Sequence, residues 1–212
     1  HSFTRRSSDL LAAEERGLAT PLLVSNHFGL YQYGTQIFAN KASGFISYFD
    51  SAANMSTASP DNALRQFDGK RPCWTEPSSL SGTIIPLGYL ALNGIQIQPP
   101  AYLQSHTSVI RALYIKNICD FGATFAYSGD PRTSSAVISD LPNVLDNIII
   151  VWRSDAIIPS LNFSAASFVP QEFITRTKNA LIKIIKTDEG KINITRSLAY
   201  DVQDFIEIES EY

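Results

Sequence analysis

Two hydrophobic periods alternate along this chain. Ser8 to Arg16 has the spacing of a short helix, capped by Ser7 or Ser8 and stopped by Gly17. Pro21 to Ser25 and Tyr31 to Ala39 then read as strands. Residues 41–60, rich in Ser, Ala and Asn, read as an irregular insertion that leads into a short helix from Asp61. Beyond it the pattern predicts strand 71–76, helix 81–93, strand 101–105 and helix 106–117, the last with Val109, Ile110, Leu113 and Tyr114 on one face. Pro86 falls inside the predicted helix 81–93 and should kink it. Strand 120–126, a helical stretch within 132–146, an apolar strand from Asn147 to Trp152 and strand 163–168 follow. Glu172 to Lys186 reads as an amphipathic helix with Phe173, Ile174, Thr177, Leu181, Ile184 and Ile185 on its buried side. Such β-α alternation argues for parallel α/β sheets.

Composition narrows the field of functions. Hydrophobic residues make up 44% and charged residues 17% of the 212, as in a folded globular chain. Net charge is −3, with no basic stripe for nucleic acid and no apolar run long enough for a membrane span. An anion bound here must be held by local dipoles, because the global charge repels it weakly. Cys73 and Cys119 lack metal-ligand spacing and read as two buried thiols before a disulfide, with the disulfide left open. With only His1, His27 and His106, no metal set is expected, and no cofactor motif is present.

The most informative segment is Pro77-Ser78-Ser79-Leu80-Ser81-Gly82-Thr83-Ile84-Ile85-Pro86. Three serines and a glycine stand where a strand hands over to a helix. Unpartnered N–H groups and the positive end of the helix dipole meet there, and small hydroxyls add donors. The arrangement suits an oxyanion, with Gly82 admitting a ligand close to the backbone. Serine is equally the commonest helix cap, and both roles can coexist.

This segment belongs to an ordered series: Phe67-Asp68-Gly69-Lys70-Arg71, then Pro77 to Pro86, Ser105-His106 at a helix start, Cys119-Asp120-Phe121-Gly122-Ala123, and Val151-Trp152-Arg153-Ser154-Asp155-Ala156-Ile157-Ile158-Pro159. The series resembles the periplasmic phosphate, phosphite and phosphonate-binding proteins of ABC transporters, over most of residues 8–212. The resemblance implies an α/β type II periplasmic-binding-protein fold, with two lobes, a cleft and two crossing strands. Lobe I would combine 1–35 with 154–212, and lobe II would be 36–153. It further implies ligand contacts at the positions of Ser79, Leu80, Ser81, Gly82 and His106, and at Tyr33 on a crossing strand. Tyr127 and Asn162 fall in regions that would line the cleft.

Departures from the family pattern carry their own expectations. Leu80 replaces a threonine of the ligand-gripping triplet, so one hydroxyl is missing. The regions Thr124-Phe125-Ala126-Tyr127 and Pro159-Ser160-Leu161-Asn162 hold no carboxylate for a ligand ammonium, which favours an amine-free oxyanion. The family's initial βαβαβ unit has no counterpart before the first helix, so lobe I is expected to be incomplete, with its strands 21–25 and 163–168 poorly supported.

The resemblance therefore implies a solute-binding protein that hands a small phosphorus oxyanion to a membrane permease. It would be periplasmic or extracellular, with a lipid anchor in a full-length precursor. A ligand-sensing domain of a receptor or regulator would use the same fold. An enzyme is not expected, because the serines have no histidine-carboxylate relay in the sequence.

Overall fold

The computed structural model describes residues 7–208. In chain order these are α1 (Ser7–Glu15), β1 (Ala19–Asn26), β2 (Gln32–Asn40), β3 (Phe49–Asp50), β4 (Met55–Ser56), α2 (Pro60–Ala63), β5 (Pro72–Trp74), α3 (Ile85–Leu92), β6 (Ala101–Tyr102) and α4 (His106–Ile115). They continue with β7 (Phe121–Ala126), α5 (Ser135–Asp140), α6 (Val144–Asn147), β8 (Ile148–Arg153), β9 (Ile158–Pro159), β10 (Asn162–Ala166), α7 (Gln171–Ile184), α8 (Asp188–Leu198) and β11 (Asp204–Glu207). The chain divides into two compact units, one formed by residues up to Tyr33 and from Pro159 onward, the other by Gly34–Ile158. Both boundaries fall inside strands, β2 and β9.

In the first unit β1 is the centre of a three-stranded sheet, antiparallel to β10 on one side and to β11 on the other. The sheet is therefore not parallel, as the β-α alternation predicted. Nor are strands 21–25 and 163–168 without neighbours: they pair with each other, and β11 adds a third strand. The hydrophobic pattern missed β11 and α8 because both are short of apolar residues. In α8 only Ile192, Ile194 and Leu198 interrupt a polar run, and Thr187 caps it by accepting from Gly190 N–H at 3.1 Å. Leu23, Ile185, Val202 and Phe205 form the core, with Leu181, Ile182, Ile194 and Tyr200 packed on it. The predicted buried side of α7 needs correction, since Phe173 and Ile184 are exposed. The helix touches the core near its C-terminus, through Leu181, Ile182 and Ile185.

The second unit is built on the order β6-β5-β7-β2-β8. Here β5 runs parallel to β6 and β7, whereas β2 is antiparallel to β7 and β8. The carboxyl ends of β5, β6, β7 and β8 and the amino end of β2 thus share one edge of the sheet. One face packs Ile37, Leu64, Phe67, Trp74, Phe121 and Trp152. The other packs Phe38, Val109, Ile110, Leu113, Val137 and Ile148, beneath α4. Residues 41–60 do not stay irregular throughout: β3 and β4 pair as a small hairpin.

Two sequence expectations are corrected in this unit. Cys73 and Cys119 are joined in a disulfide. Parallel pairing of Pro72 with Phe121 and Cys73 with Gly122 brings the segments together, a proximity their separation of 46 residues conceals. Pro86, for its part, lies in the first turn of α3, not within a kinked helix. Residues Leu80–Ile84 form a π-helical turn, and α3 proper begins at Ile85. Proline has no N–H to offer the Gly82 carbonyl one turn back, and that carbonyl instead accepts from Thr75 N–H at 3.3 Å.

Candidate functional site

At the shared edge of the second unit's sheet, two helix starts follow strand ends. Ser79 caps the first, its Oγ accepting from Gly82 N–H at 3.1 Å. That bond uses a lone pair and leaves the hydroxyl proton available. Leu80 and Ser81 open the turn, and their N–H groups have no acceptor one turn back. The Leu80 side chain is buried, so this residue faces a ligand only through its backbone. Ser81 is buried too, and its carbonyl accepts from Thr35 Oγ1 at 2.6 Å, which ties the turn to β2.

Gly82 sits tightly between the cap and the strand end. Its N–H is occupied by Ser79, and the space beside its Cα is filled by the Thr75 side chain. A Cβ at this position would meet the Thr75 side chain. Thr75, at the end of β5, is 2% exposed, and its Oγ1 has no hydrogen-bond partner. A buried hydroxyl left unpaired is costly, so this atom marks the turn as polar and unsatisfied.

The second helix start is α4. Ser105 caps it by accepting from Ser108 N–H at 3.1 Å, and His106 follows as the first helical residue. The imidazole packs edge-on against Phe125 of β7, 4.8 Å between ring centres. Burial pushes its pKa down to about 4, so the ring is neutral at pH 7. Nδ1 is buried without a partner. A neutral imidazole offers one N–H donor and carries no charge of its own into the site.

Tyr127 stands just beyond β7 in the left-handed region, with φ 69°. An aromatic residue is held there only by its surroundings. Its hydroxyl donates to the Ser154 carbonyl at 2.8 Å, and its ring lies 5.1 Å from the Arg153 guanidinium carbon. Burial raises the Tyr127 and Tyr89 hydroxyl pKa values, and the Asp155 carboxylate adds to both shifts, whereas Arg153 opposes the one at Tyr127. Ser154 Oγ accepts from Thr35 N–H at 3.0 Å and donates to the Asp155 carbonyl at 2.7 Å, which closes the β2–β8 corner.

Ser79, Leu80, Ser81, Gly82, His106 and Tyr127 therefore all belong to the second unit, at or next to one sheet edge. Tyr33 and Asn162 belong to the first. Tyr33 is half-buried in β2. Asn162 opens β10 and accepts from Ser164 Oγ at 3.1 Å, beside an apolar groove lined by Phe163, Leu181, Ile194 and Leu198. The pattern of hydroxyl and helix signals missed Thr35, Gln36, Thr75 and Arg153. All four are buried polar residues, Thr35 and Gln36 within β2 and Thr75 and Arg153 at the ends of β5 and β8, a property no local motif displays.

A family model described as the periplasmic substrate-binding protein of phosphonate ABC transporters matches residues 6–212. The chain belongs to this family. Its fold is the α/β type II periplasmic-binding class, shared with solved structures of low sequence identity. XAC2383 from Xanthomonas citri, bound to a chloride ion, superposes with a TM-score of 0.76 at 18% identity, over 97% of this chain and 70% of that one. A binding-protein component of an ABC phosphonate transporter from Pseudomonas aeruginosa gives 0.63 at 16% identity, over 96% and 62%. PhnD1 from Prochlorococcus marinus, in complex with methylphosphonate, gives 0.59 at 15% identity, over 90% and 66%. No curated protein matches the chain in sequence.

Proposed function

We propose that this chain captures a small phosphorus oxyanion, such as phosphate, phosphite or a simple alkylphosphonate, in the periplasm and presents it to an ABC-transporter permease. One observation carries the reading. Two serine-capped helix starts, at Ser79 and Ser105, stand at one sheet edge with the unpartnered Thr75 Oγ1 and His106 Nδ1. Open α/β sheets bind ligands beyond the carboxyl ends of their strands, and helix N-termini favour anions. Four or five hydrogen bonds to an oxyanion, less desolvation and closure costs, support a complex on the order of micromolar affinity.

Assignment to a transport role follows from the family. The disulfide suits an oxidising compartment, and no described helix is long and apolar enough to cross a membrane. The family's gripping role falls on Ser79, Ser81 and His106, with Leu80 contributing its amide. Tyr33 and Asn162, in the first unit, are further candidates on the family reading alone.

A thermal-shift screen with phosphate, phosphite, methylphosphonate, 2-aminoethylphosphonate and sulfate tests this reading. A bound ligand at a hundredfold excess over its Kd should stabilise the protein by ~2.7 kcal/mol. Stabilisation by sulfate alone, or tightest binding by 2-aminoethylphosphonate in calorimetry, would overturn the proposed ligand class. A Ser79→Ala, Ser81→Ala double variant that keeps the full shift would remove this helix start from the site.

A further inference from the structure

Arg153 is a buried cation with no counter-anion among the described residues. The residue ends β8 and is 8% exposed. Its guanidinium donates through Nε and Nη2 to the single oxygen of Gln36, at 3.1 and 2.7 Å, and through Nη1 to Asn54 Oδ1. The Phe49 ring lies 4.4 Å and the Tyr127 ring 5.1 Å from its central carbon. Every one of these partners is neutral. Among the described residues no carboxylate is paired with it, and the nearby Asp130 is already engaged by Arg132 at 2.7 Å. Burial accordingly works against the charge of Arg153.

The fold goes to some length to place it there. Register between β2 and β8 shifts after Ile37, which pairs with Trp152, while Phe38 pairs with Ile150. Val151 is the extra residue, and both it and Trp152 pack on one face of the sheet. Arg153 is thereby turned to the opposite face, toward Phe49 and Tyr127; bulges commonly re-aim a side chain in this way. The β3–β4 hairpin closes over it. Ser56 Oγ accepts from Arg153 N–H at 2.8 Å and donates to its carbonyl at 2.9 Å, while Phe49 and Asn54 meet the guanidinium.

From Arg153 the contacts lead directly to the helix starts. Gln36, which holds the guanidinium, donates its Nε2 to the Phe125 carbonyl at 2.8 Å, and the Phe125 ring packs on His106. The gripping residues, Ser79, Ser81 and neutral His106, bring hydroxyls and amides but no formal charge. A lone buried cation is expensive unless an anion completes it.

We propose that Arg153 supplies the positive charge of the oxyanion site and sets its preference for doubly over singly charged phosphorus oxyanions. This inference rests on the proposed oxyanion function. Arg153 acts through the field it projects past Tyr127 and Gln36, so its removal should change charge discrimination, not merely affinity.

Phosphite and hypophosphite, compared by calorimetry at one alkaline pH where they carry two charges and one, provide the test. The parent protein should prefer phosphite. Arg153→Gln should reduce that preference by about tenfold, equivalent to about 1.4 kcal/mol, while Arg153→Lys should keep most of it. Arg153→Met, which occupies the slot between the Phe49 and Tyr127 rings, serves if the glutamine variant does not fold. An unchanged phosphite-to-hypophosphite ratio in a folded neutral variant would overturn the inference and leave the oxyanion reading standing. So would failure of both neutral variants to fold, which would make Arg153 a structural residue. No binding of either anion by the parent protein would overturn the oxyanion reading and this inference with it.

Discussion

The side chain of Thr75 occupies the place a side chain at Gly82 would take: a Cβ built on Gly82 would lie 2.1 Å from Thr75 Oγ1 and 2.7 Å from its Cγ2. The two residues also share the bond from Thr75 N–H to the Gly82 carbonyl. Strand end and helix start are thus locked together at the proposed oxyanion site. Gly82→Ala should destabilise the protein by about 1–3 kcal/mol, because Thr75 is fully packed and cannot retreat. A melting temperature equal to that of the parent would show that the two segments separate freely. The companion variant Thr75→Ser, which keeps the hydroxyl and removes the nearby methyl, should relieve part of the loss.

The unpartnered Nδ1 and low pKa of His106 make a prediction about pH. The unfolded chain takes up a proton near the ordinary histidine pKa of about 6.5, whereas the folded chain resists until about pH 4. Stability contributed by neutral His106 is therefore fully present above about pH 6.5 and falls as the pH drops toward 4. In the absence of ligand, the loss attributable to this residue should be on the order of 2–3 kcal/mol. Denaturant titrations across that window on the parent and on His106→Gln measure it. Parallel curves for the two proteins would refute the assignment.

Reduction of the Cys73–Cys119 bond releases a crosslink spanning 46 residues. The expected cost is about 2–4 kcal/mol, read from unfolding midpoints with and without reductant. A Cys73→Ala, Cys119→Ala variant should lose a similar amount and become insensitive to reductant. Equal midpoints in both redox states would mean that the β5–β7 pairing holds without it.

Asp155 is exposed beside the proposed site, and its charge acts on the Tyr89 and Tyr127 hydroxyls. A carboxylate at that place repels an incoming oxyanion. Asp155→Asn should tighten phosphate or methylphosphonate binding by about two- to fivefold, an effect that shrinks as salt is added. Weaker binding in the variant would instead make Asp155 a partner for a positively charged part of the ligand.

Much of the second unit was legible in the amino-acid order because it is built from local signals. Serine caps announce themselves before a helix, so Ser79 and Ser105 could be located without coordinates. The alternation of apolar runs places β2, β7 and β8 for the same reason. Other features were hidden by their range. Cys73 meets Cys119 only because β5 lies parallel to β7, and Pro86 reads as a helix breaker until the π-helical turn ahead of it is seen. In the first unit, the polar helix α8 and the short strand β11 earn their places by packing against β1 and α7, a contribution no periodicity records.

The sequence by itself determined the family, most of the strands and helices of the second unit and the serine-rich turn, since these depend on residues adjacent in the chain. Only the tertiary structure decided what surrounds that turn. Thr75 fills the space that Gly82 leaves, His106 is neutral because Phe125 and its neighbours bury it, and Arg153 faces Tyr127 because a single bulge at Val151 reverses its side. Each of these follows from burial and sheet register, quantities set by segments distant in sequence.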